Sequence, residues 1–353
     1  MERIFTRRPS MRDVAEASGV SAQTVSRVLS DHRNVKETTR EKVLAAVEKL
    51  GYRHNNTARA LVTGRSKTLG VLTLATKNYS RASLSLGIEL GARDAGYTVN
   101  SVTSTMSLKG LTESVSRLLL QGVDGIILAS PFREAASTIR RLTAGIPTIT
   151  MGGSAGTCNG SVGIDQDQAA ELATRHLLEL GHKTVWHIAG PREWSDASLR
   201  EESWRRTLIE AGCLLPPVLY GDWSPSSGHR NGLILGTNPK VTAILVASDE
   251  MAFGVIRALT ELGLHVPKDV SVVGIDDIDL AAYSTPPLTT IRQSFEETGR
   301  RAVQHLVGLI NKPGMTNLSS MSAPTLIVRG STAPPPADWA SKVCPKPHRQ
   351  DCV

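Results

Sequence analysis

From Leu69 onward the chain alternates short apolar runs rich in β-branched residues with amphipathic segments of helix length, and this alternation limits the fold more than any other feature. The candidate strands are "LGVLTL", "GYTVNSV", "DGIILAS", "IPTITM", "TVWHIAG", "TAILVAS" and "VSVVGID". Between them lie helices such as "AAELATRHLLELG" and "DEMAFGVIRALTELG". Strands that carry Val and Ile on both faces and are separated by helices predict an α/β fold with parallel, doubly wound sheets. About 260 residues of this pattern exceed what one such sheet needs, so the spacing predicts two lobes with a cleft between them. Ligands of open α/β sheets bind beyond the carboxyl ends of the strands, and two lobes place those ends around the cleft.

The first sixth of the chain differs in kind. Residues 1–65 hold 13 Lys and Arg against 7 Asp and Glu, whereas the remaining 288 residues hold 27 against 26, so nearly all of the net charge of +7 lies at this end. A basic module on a near-neutral body points to a polyanionic partner for the module alone. Ser10 can cap a first helix, "MRDVAEAS", with Met11, Val14, Ala15 and Ala17 facing inward, and Gly19 breaks it. Ser21 caps a second, "SAQTVSRVLS", with Val25, Val28 and Leu29 on one side and Gln23, Ser26, Arg27 and Ser30 on the other. A third helix over "TTREKVLAAVEKL" offers Val43, Leu44, Val47 and Leu50 to a small core and stops at Gly51. Two helices joined by a short Gly-containing turn predict a helix-turn-helix. In the major groove Gln pairs with adenine N6 and N7, Arg with guanine O6 and N7, and hydroxyls hold phosphates. Gln23 and Arg27 taken singly also suit any solvated helix face; cap, turn, basic context and third helix together favour DNA.

"MRDVAEASGVSAQTVSRVLSDHRNVKETTREKVLAAVEKLGY" resembles the head of the lactose-repressor/galactose-repressor family of bacterial transcription regulators, with DVA, GVS, TVSRVL and TREKV in the family's order and spacing. The resemblance implies that Ala22, Gln23 and Arg27 occupy base-reading positions, that Thr24 and Ser26 match phosphate contacts, and that Ser21 belongs to the same DNA-facing surface. The following "HNNTARALVTGRSKT" is polar and too short for a stable helix alone. In the family the equivalent stretch becomes a hinge helix on DNA. The position matching Leu61 then wedges into the minor groove, beside contacts matching Asn55 and Ala58. His54 departs from the proline that members usually place at the hinge start, and Ala22 is small where some members carry a bulky reader.

The body resembles the sensor domain of the same family, which shares the periplasmic-binding-protein fold, and the match runs from about residue 10 to 330. Polar segments follow the strands: "AGPREWSDASLR", "GDWSPSSG", "ASDE" and "GIDD", with "TTIRQSF" crossing back. The resemblance implies that Arg200 and Asp276 clamp ligand hydroxyls, as a guanidinium fork and a carboxylate suit a diol. It implies that Trp223 is an aromatic platform for a sugar, that Gln293 and Phe295 match further cleft positions, and that Ser248 replaces an Asn there. Gly152 stands where a relative in the family has a carboxylate, which leaves the identity of the sugar open. The residue types alone also allow Asp276 as a helix N-cap, Arg200 as a surface ion-pair partner and Trp223 as ordinary core.

An enzyme would need a motif that is missing: GxxxxGK[ST], HExxH and GxSxG do not occur, and "GGSAGTCNG" lacks the strand-turn-helix setting of a dinucleotide fingerprint and reads as a mobile loop. No cofactor and no metal is expected. Asp276, Asp277 and Asp279 are explained by capping and sugar binding, and "CPKPHRQDC" has no common zinc spacing. Cys158, Cys213, Cys344 and Cys352 form no CxxC pair and are expected to be reduced. No run approaches the roughly 18 apolar residues of a membrane span, and "MERIFTRRPS" lacks the apolar stretch of a secretory signal, so a cytosolic protein is expected. The expected division is a head over 1–53, a hinge over 54–66, a two-lobed sensor over 67–332 and a proline-rich, disordered tail over 333–353. Within the sensor, an N-lobe of about 67–164 and 295–322 faces a C-lobe of about 165–292 and 323–332. The tail has no heptads for a coiled coil, and the expected assembly is a homodimer whose two heads match a palindromic DNA operator. The expected function is repression of carbohydrate genes, relieved by a small sugar; a corepressor-dependent regulator answering a purine or another small molecule is the alternative.

Overall fold

The computed structural model describes residues 9–29, 34–52, 64–74, 79–105, 107–129, 136–152, 160–312, 314 and 318–337. The backbone divides into two compact units, Met1–Ser66 and Lys67–Val353.

In the first unit the described residues form α1 (Met11–Ser18), α2 (Ala22–Leu29) and α3 (Glu37–Leu50). Ser10 and Asp13 close a reciprocal capping box at the start of α1, worth about 1 kcal/mol. Gly19 ends the helix in the left-handed region at φ 67°, where a side chain would be strained. Val14, Val25, Val28, Val43 and Ala46 make the small core, with Met11, Val47 and Leu50 packed at its edge. Two expected core residues fall outside it. Ala17 is exposed and Leu44 is 49% exposed, because the buried stripe of α3 runs through 43, 46, 47 and 50, leaving 44 to one side.

The second unit contains two six-stranded sheets. The first orders β11-β5-β4-β3-β1-β2, comprising β1 (Thr68–Leu74), β2 (Thr98–Ser104), β3 (Gly125–Leu128), β4 (Thr148–Met151), β5 (Gly160–Ile164) and β11 (Leu318–Ser322). The second orders β12-β10-β9-β8-β6-β7, comprising β6 (Trp186–Ala189), β7 (Leu219–Tyr220), β8 (Ala243–Val246), β9 (Ser271–Asp276), β10 (Thr289–Arg292) and β12 (Thr325–Ile327). Every pairing is parallel except β10 with β12. The chain passes between the sheets at residue 165, at 293–294 and at 323–324.

Helices cover both sheets: α4 (Tyr79–Asp94), α5 (Leu108–Leu120), α6 (Ala136–Leu142) and α11 (Phe295–Asn311) belong to the first lobe; α7 (Gln166–Glu179), α8 (Ser195–Glu210), α9 (Pro225–Gly236) and α10 (Asp249–Glu261) belong to the second. The central strands β3, β8 and β9 are buried on both faces, which is why they read as continuous apolar runs. Each lobe packs a cluster on either face of its sheet, around Val71, Ile127 and Leu306 or Leu72, Leu111 and Leu118 in the first, and around Ile244, Val246 and Leu259 or Leu245, Trp204 and Leu208 in the second. Fully burying one such aliphatic side chain stabilises by roughly 1.5–3 kcal/mol, so each cluster holds its sheet against its helices.

The proline-rich tail does not start free. Ser331 is buried, and its hydroxyl donates to Val272 O at 2.6 Å while accepting from Thr289 N at 2.8 Å. Ala333 N donates to Ser271 Oγ at 3.0 Å, and Ala333 O accepts from that same hydroxyl at 2.9 Å. The expectation of disorder from 333 is therefore corrected through 337, because prolines that stop a helix still allow an extended strap to lie across the amino-terminal ends of β9 and β10. Residues 338–353 lie outside the described residues.

Candidate functional site

The exposed face of α2 is where the sequence places DNA contacts. Ser21 Oγ accepts from Thr24 N at 3.1 Å and lies 2.9 Å from Thr24 Oγ1, so both hydroxyls are engaged in capping the helix. Ala22, Gln23 and Arg27 are exposed, Thr24 and Ser26 half-buried, while Val25 and Val28 anchor the opposite side. The face thus offers an amide and a guanidinium without an acidic residue on the helix. Asn55, Ala58 and Leu61, with His54, fall outside the described residues, as does the loop 153–159.

In the second unit the carboxyl ends of β6, β8 and β9 open into one cavity continuous with solvent, where ligands of open α/β sheets bind. Arg200, Trp223, Ser248, Asp276 and Phe295 all line it. Arg200 is not a surface partner: it is 4% exposed, donates through Nε to Gln166 Oε1 at 2.8 Å and through Nη1 to Ala247 O. Asp276 is not a helix cap: it closes β9 at φ 132°, its Oδ1 4.0 Å from Arg200 Nη2. Gln293 does not line the cavity but sits behind it. Its Nε2 donates to Asp276 Oδ1 at 2.7 Å and its Oε1 accepts from Gln166 Nε2 at 2.8 Å. Arg200, Gln166, Gln293 and Asp276 therefore close a buried polar ring that fixes both charged side chains before a ligand arrives.

Burial drives the Asp276 carboxyl well above its usual range; the Arg200 charge opposes this, and Asp249, Glu250 and Asp196 reinforce it. Asp249, beneath it at the start of α10, is pushed up to about 6 by burial despite bonds from Thr290 Oγ1 at 2.5 Å and Ile278 N at 2.9 Å. Asp277 belongs to the scaffold, held by Arg292 Nε and Arg329 Nη2, each at 2.6 Å. Among the described residues no three His, Cys, Asp or Glu converge as a metal site.

Trp223 is both core and cavity wall. It packs edge-on against Trp194 at 5.6 Å between centroids, lies 5.6 Å from the Arg200 guanidinium, and adopts φ 70°. A Cβ at Gly190 would sit 2.2 Å from its ring, so only glycine lets the indole lie across the end of β6. Two non-glycine residues with left-handed φ, Trp223 and Asp276, thus meet in one cavity, a concentration of backbone strain typical of ligand sites. Ser248 caps α10, its Oγ accepting from Met251 N at 3.3 Å.

Sequence reasoning missed Gln166, Trp194, Asp196 and Arg81, all of which line the cavity. Trp194 and Asp196 lie in the strand-end segment "AGPREWSDASLR", whose position was the available signal. Arg81, near the start of α4, carried none.

The regulatory proteins of the lacI family match residues 10–55, and the periplasmic binding protein-like domain matches residues 174–332. The ribose operon repressor of Escherichia coli (strain K12) is 32% identical over 329 residues, covering 91% of this chain and 99% of the relative. The lactose operon repressor of the same strain is 33% identical over 335 residues, covering 94% and 93%. A crystal structure of the lac repressor dimer bound to operator and the anti-inducer ONPF superposes with a TM-score of 0.86 at 33% identity, covering 93% of this chain and all of that one. The helix-turn-helix unit, the paired parallel sheets and relatives that match over nearly their whole length place this chain in the lacI family of bacterial regulatory proteins.

Proposed function

We propose that the chain is a homodimeric, sequence-specific repressor whose DNA affinity is lowered by a small sugar bound in the cavity of the second unit. The observation that carries the reading is the buried Arg200–Gln166–Gln293–Asp276 ring beside two indoles. It presents a donor fork and a carboxylate acceptor to adjacent hydroxyls, with an apolar ring face for the carbon skeleton. Arg200 and Asp276 are the hydroxyl clamps, Trp223 and Phe295 the apolar walls, Ser248 a cap whose hydroxyl also faces the cavity, and Gln293 a positioning residue.

On DNA, Gln23 and Arg27 read base edges, Ala22 leaves room beside them, and Ser21, Thr24 and Ser26 hold the backbone. Asn55, Ala58 and Leu61 form the minor-groove hinge. Two heads reading a palindrome require a two-fold dimer, and the exposed Leu280 and Tyr283, 64% and 84% accessible, supply apolar surface for one. The protein works in the cytosol as a regulator without catalytic turnover. No helix among the described residues is long and apolar enough to cross a membrane.

The test is selection of bound sequences from random DNA, followed by fluorescence anisotropy at fixed salt with and without neutral sugars, since phosphate contacts make affinity steeply salt-dependent. A palindromic site released by one sugar supports the reading. Tightening by the ligand reverses the sign to corepression, and absence of a palindromic preference overturns the repressor assignment.

A further inference from the structure

Two oppositely charged side chains from the two lobes line the cavity close enough to feel each other's charge. Arg81, on α4 of the first lobe, uses one N–H, donating from Nη1 to Ala129 O at 3.1 Å, and its guanidinium lies 5.2 Å from the Trp194 ring. Asp196, in the first turn of α8 on the second lobe, has a buried Oδ1 with no hydrogen-bond partner. The two side chains both line the cavity yet form no ion pair. A buried carboxylate oxygen with no donor is costly unless a ligand supplies one, and the N–H groups of Arg81 that do not bond Ala129 O are available to the same ligand.

The chemistry of that something is narrow. A ligand carboxylate would suit Arg81 but be repelled by Asp196, and a ligand ammonium would suit Asp196 but be repelled by Arg81. A hydroxyl accepts from the guanidinium and donates to the carboxylate at once. Gly152 adds an independent indication: a Cβ there would lie 3.6 Å from Asp196 Oδ1, so Asp196 reaches from the second lobe across to the first.

We propose that Arg81 and Asp196 form a second hydroxyl clamp spanning the cleft, so that the effector is a neutral polyol with hydroxyl groups at two separated edges. The inference rests on the sugar-effector reading and divides the labour of the site. Arg200 and Asp276 both stand on the second lobe and bind one edge of the ring. Arg81 and Asp196 stand on opposite lobes, so a hydroxyl bridging them draws the lobes together. Binding and response are therefore separable.

The experiment is titration calorimetry of the full-length protein with ribose, galactose, glucose and lactose, then with glucuronate, galacturonate, glucosamine and galactosamine. It is repeated on Arg81→Gln and Asp196→Asn, each checked for folding by its melting curve and for intact operator binding. We expect one neutral sugar to bind the unaltered protein and its charged derivatives to bind at least about tenfold more weakly. Each variant should weaken that sugar about tenfold, and the double variant by far less than the product, because both side chains hold one hydroxyl. At saturating sugar the single variants should also fail to release operator. If no sugar binds the unaltered protein, the sugar reading falls and this clamp with it. If a neutral sugar binds and both variants bind and respond like the parent, the clamp is wrong while the sugar reading stands. A uronate or amino sugar that binds more tightly than its neutral parent also overturns the clamp.

Discussion

The two walls of the cavity differ sharply. The second lobe contributes Trp194, Asp196, Arg200, Trp223, Ser248 and Asp276, most of them locked by the buried ring or by helix caps. The first lobe, to which α11 also belongs, contributes Leu84, Met151, Gly152, Val162, Ile164 and Phe295, with Arg81 as its one charged lining residue among the described residues. On the proposed function, the polar wall recognises the ligand and the more apolar wall closes on it. An apolar face slides over a bound ring at little cost, whereas pre-oriented polar groups bind tightly because they lose little entropy on binding.

The contrast can be broken most directly at Arg200. Its replacement by Ala leaves Gln166 without its donor and Asp276 without its paired charge, and breaking such a buried arrangement costs on the order of 3–5 kcal/mol. Calorimetry should find sugar binding reduced more than about 100-fold while operator affinity stays intact. Phe295→Ala on the more apolar wall should retain measurable binding, and a loss as severe as that of Arg200→Ala would erase the distinction.

Asp249 sharpens the contrast through pH. Its folded pKa of about 6 lies above the ordinary carboxylate value of 3.8, so the folded second lobe holds this proton more tightly than the unfolded chain. The resulting stability is fully present below about pH 4 and is lost as pH rises through 6, a change on the order of 1–3 kcal/mol. Melting curves between pH 4.5 and 8 should show a decline that Asp249→Asn flattens.

Away from both walls, Arg27→Ala should weaken operator binding by about 1–3 kcal/mol and relax preference at one base pair, with the sugar affinity of the free protein unchanged. The smallest effect expected is at Gly152, where φ is 107°. Gly152→Ala strains the backbone by about 1 kcal/mol, visible as a small drop in melting temperature.

The lobes were legible from the alternation of apolar runs with amphipathic helices, because parallel strands buried on both faces write uninterrupted Val and Ile into the chain. β5 was not, since "GSVGI" holds two glycines in five residues, and β7 spans only Leu219–Tyr220. The Arg200 and Asp276 positions emerged from resemblance and strand-end location together. What makes them a site did not: Gln166 is a helix-start residue in sequence and a hub only once α7, α8 and β10 converge. Leu44 and Ala17 lie outside the core because apolar identity does not fix orientation in helices with narrow buried stripes.

The central claim is that the sugar cavity and the DNA-reading head are thermodynamically coupled. Coupling is reciprocal, so the factor by which sugar weakens operator binding must equal the factor by which operator weakens sugar binding. The decisive measurement is therefore calorimetric titration of the releasing sugar into free protein and into protein saturated with its selected palindrome. Sugar affinity should fall on operator by about 5- to 150-fold, equal to the shift seen from the DNA side. An unchanged or tighter sugar affinity on operator would contradict it.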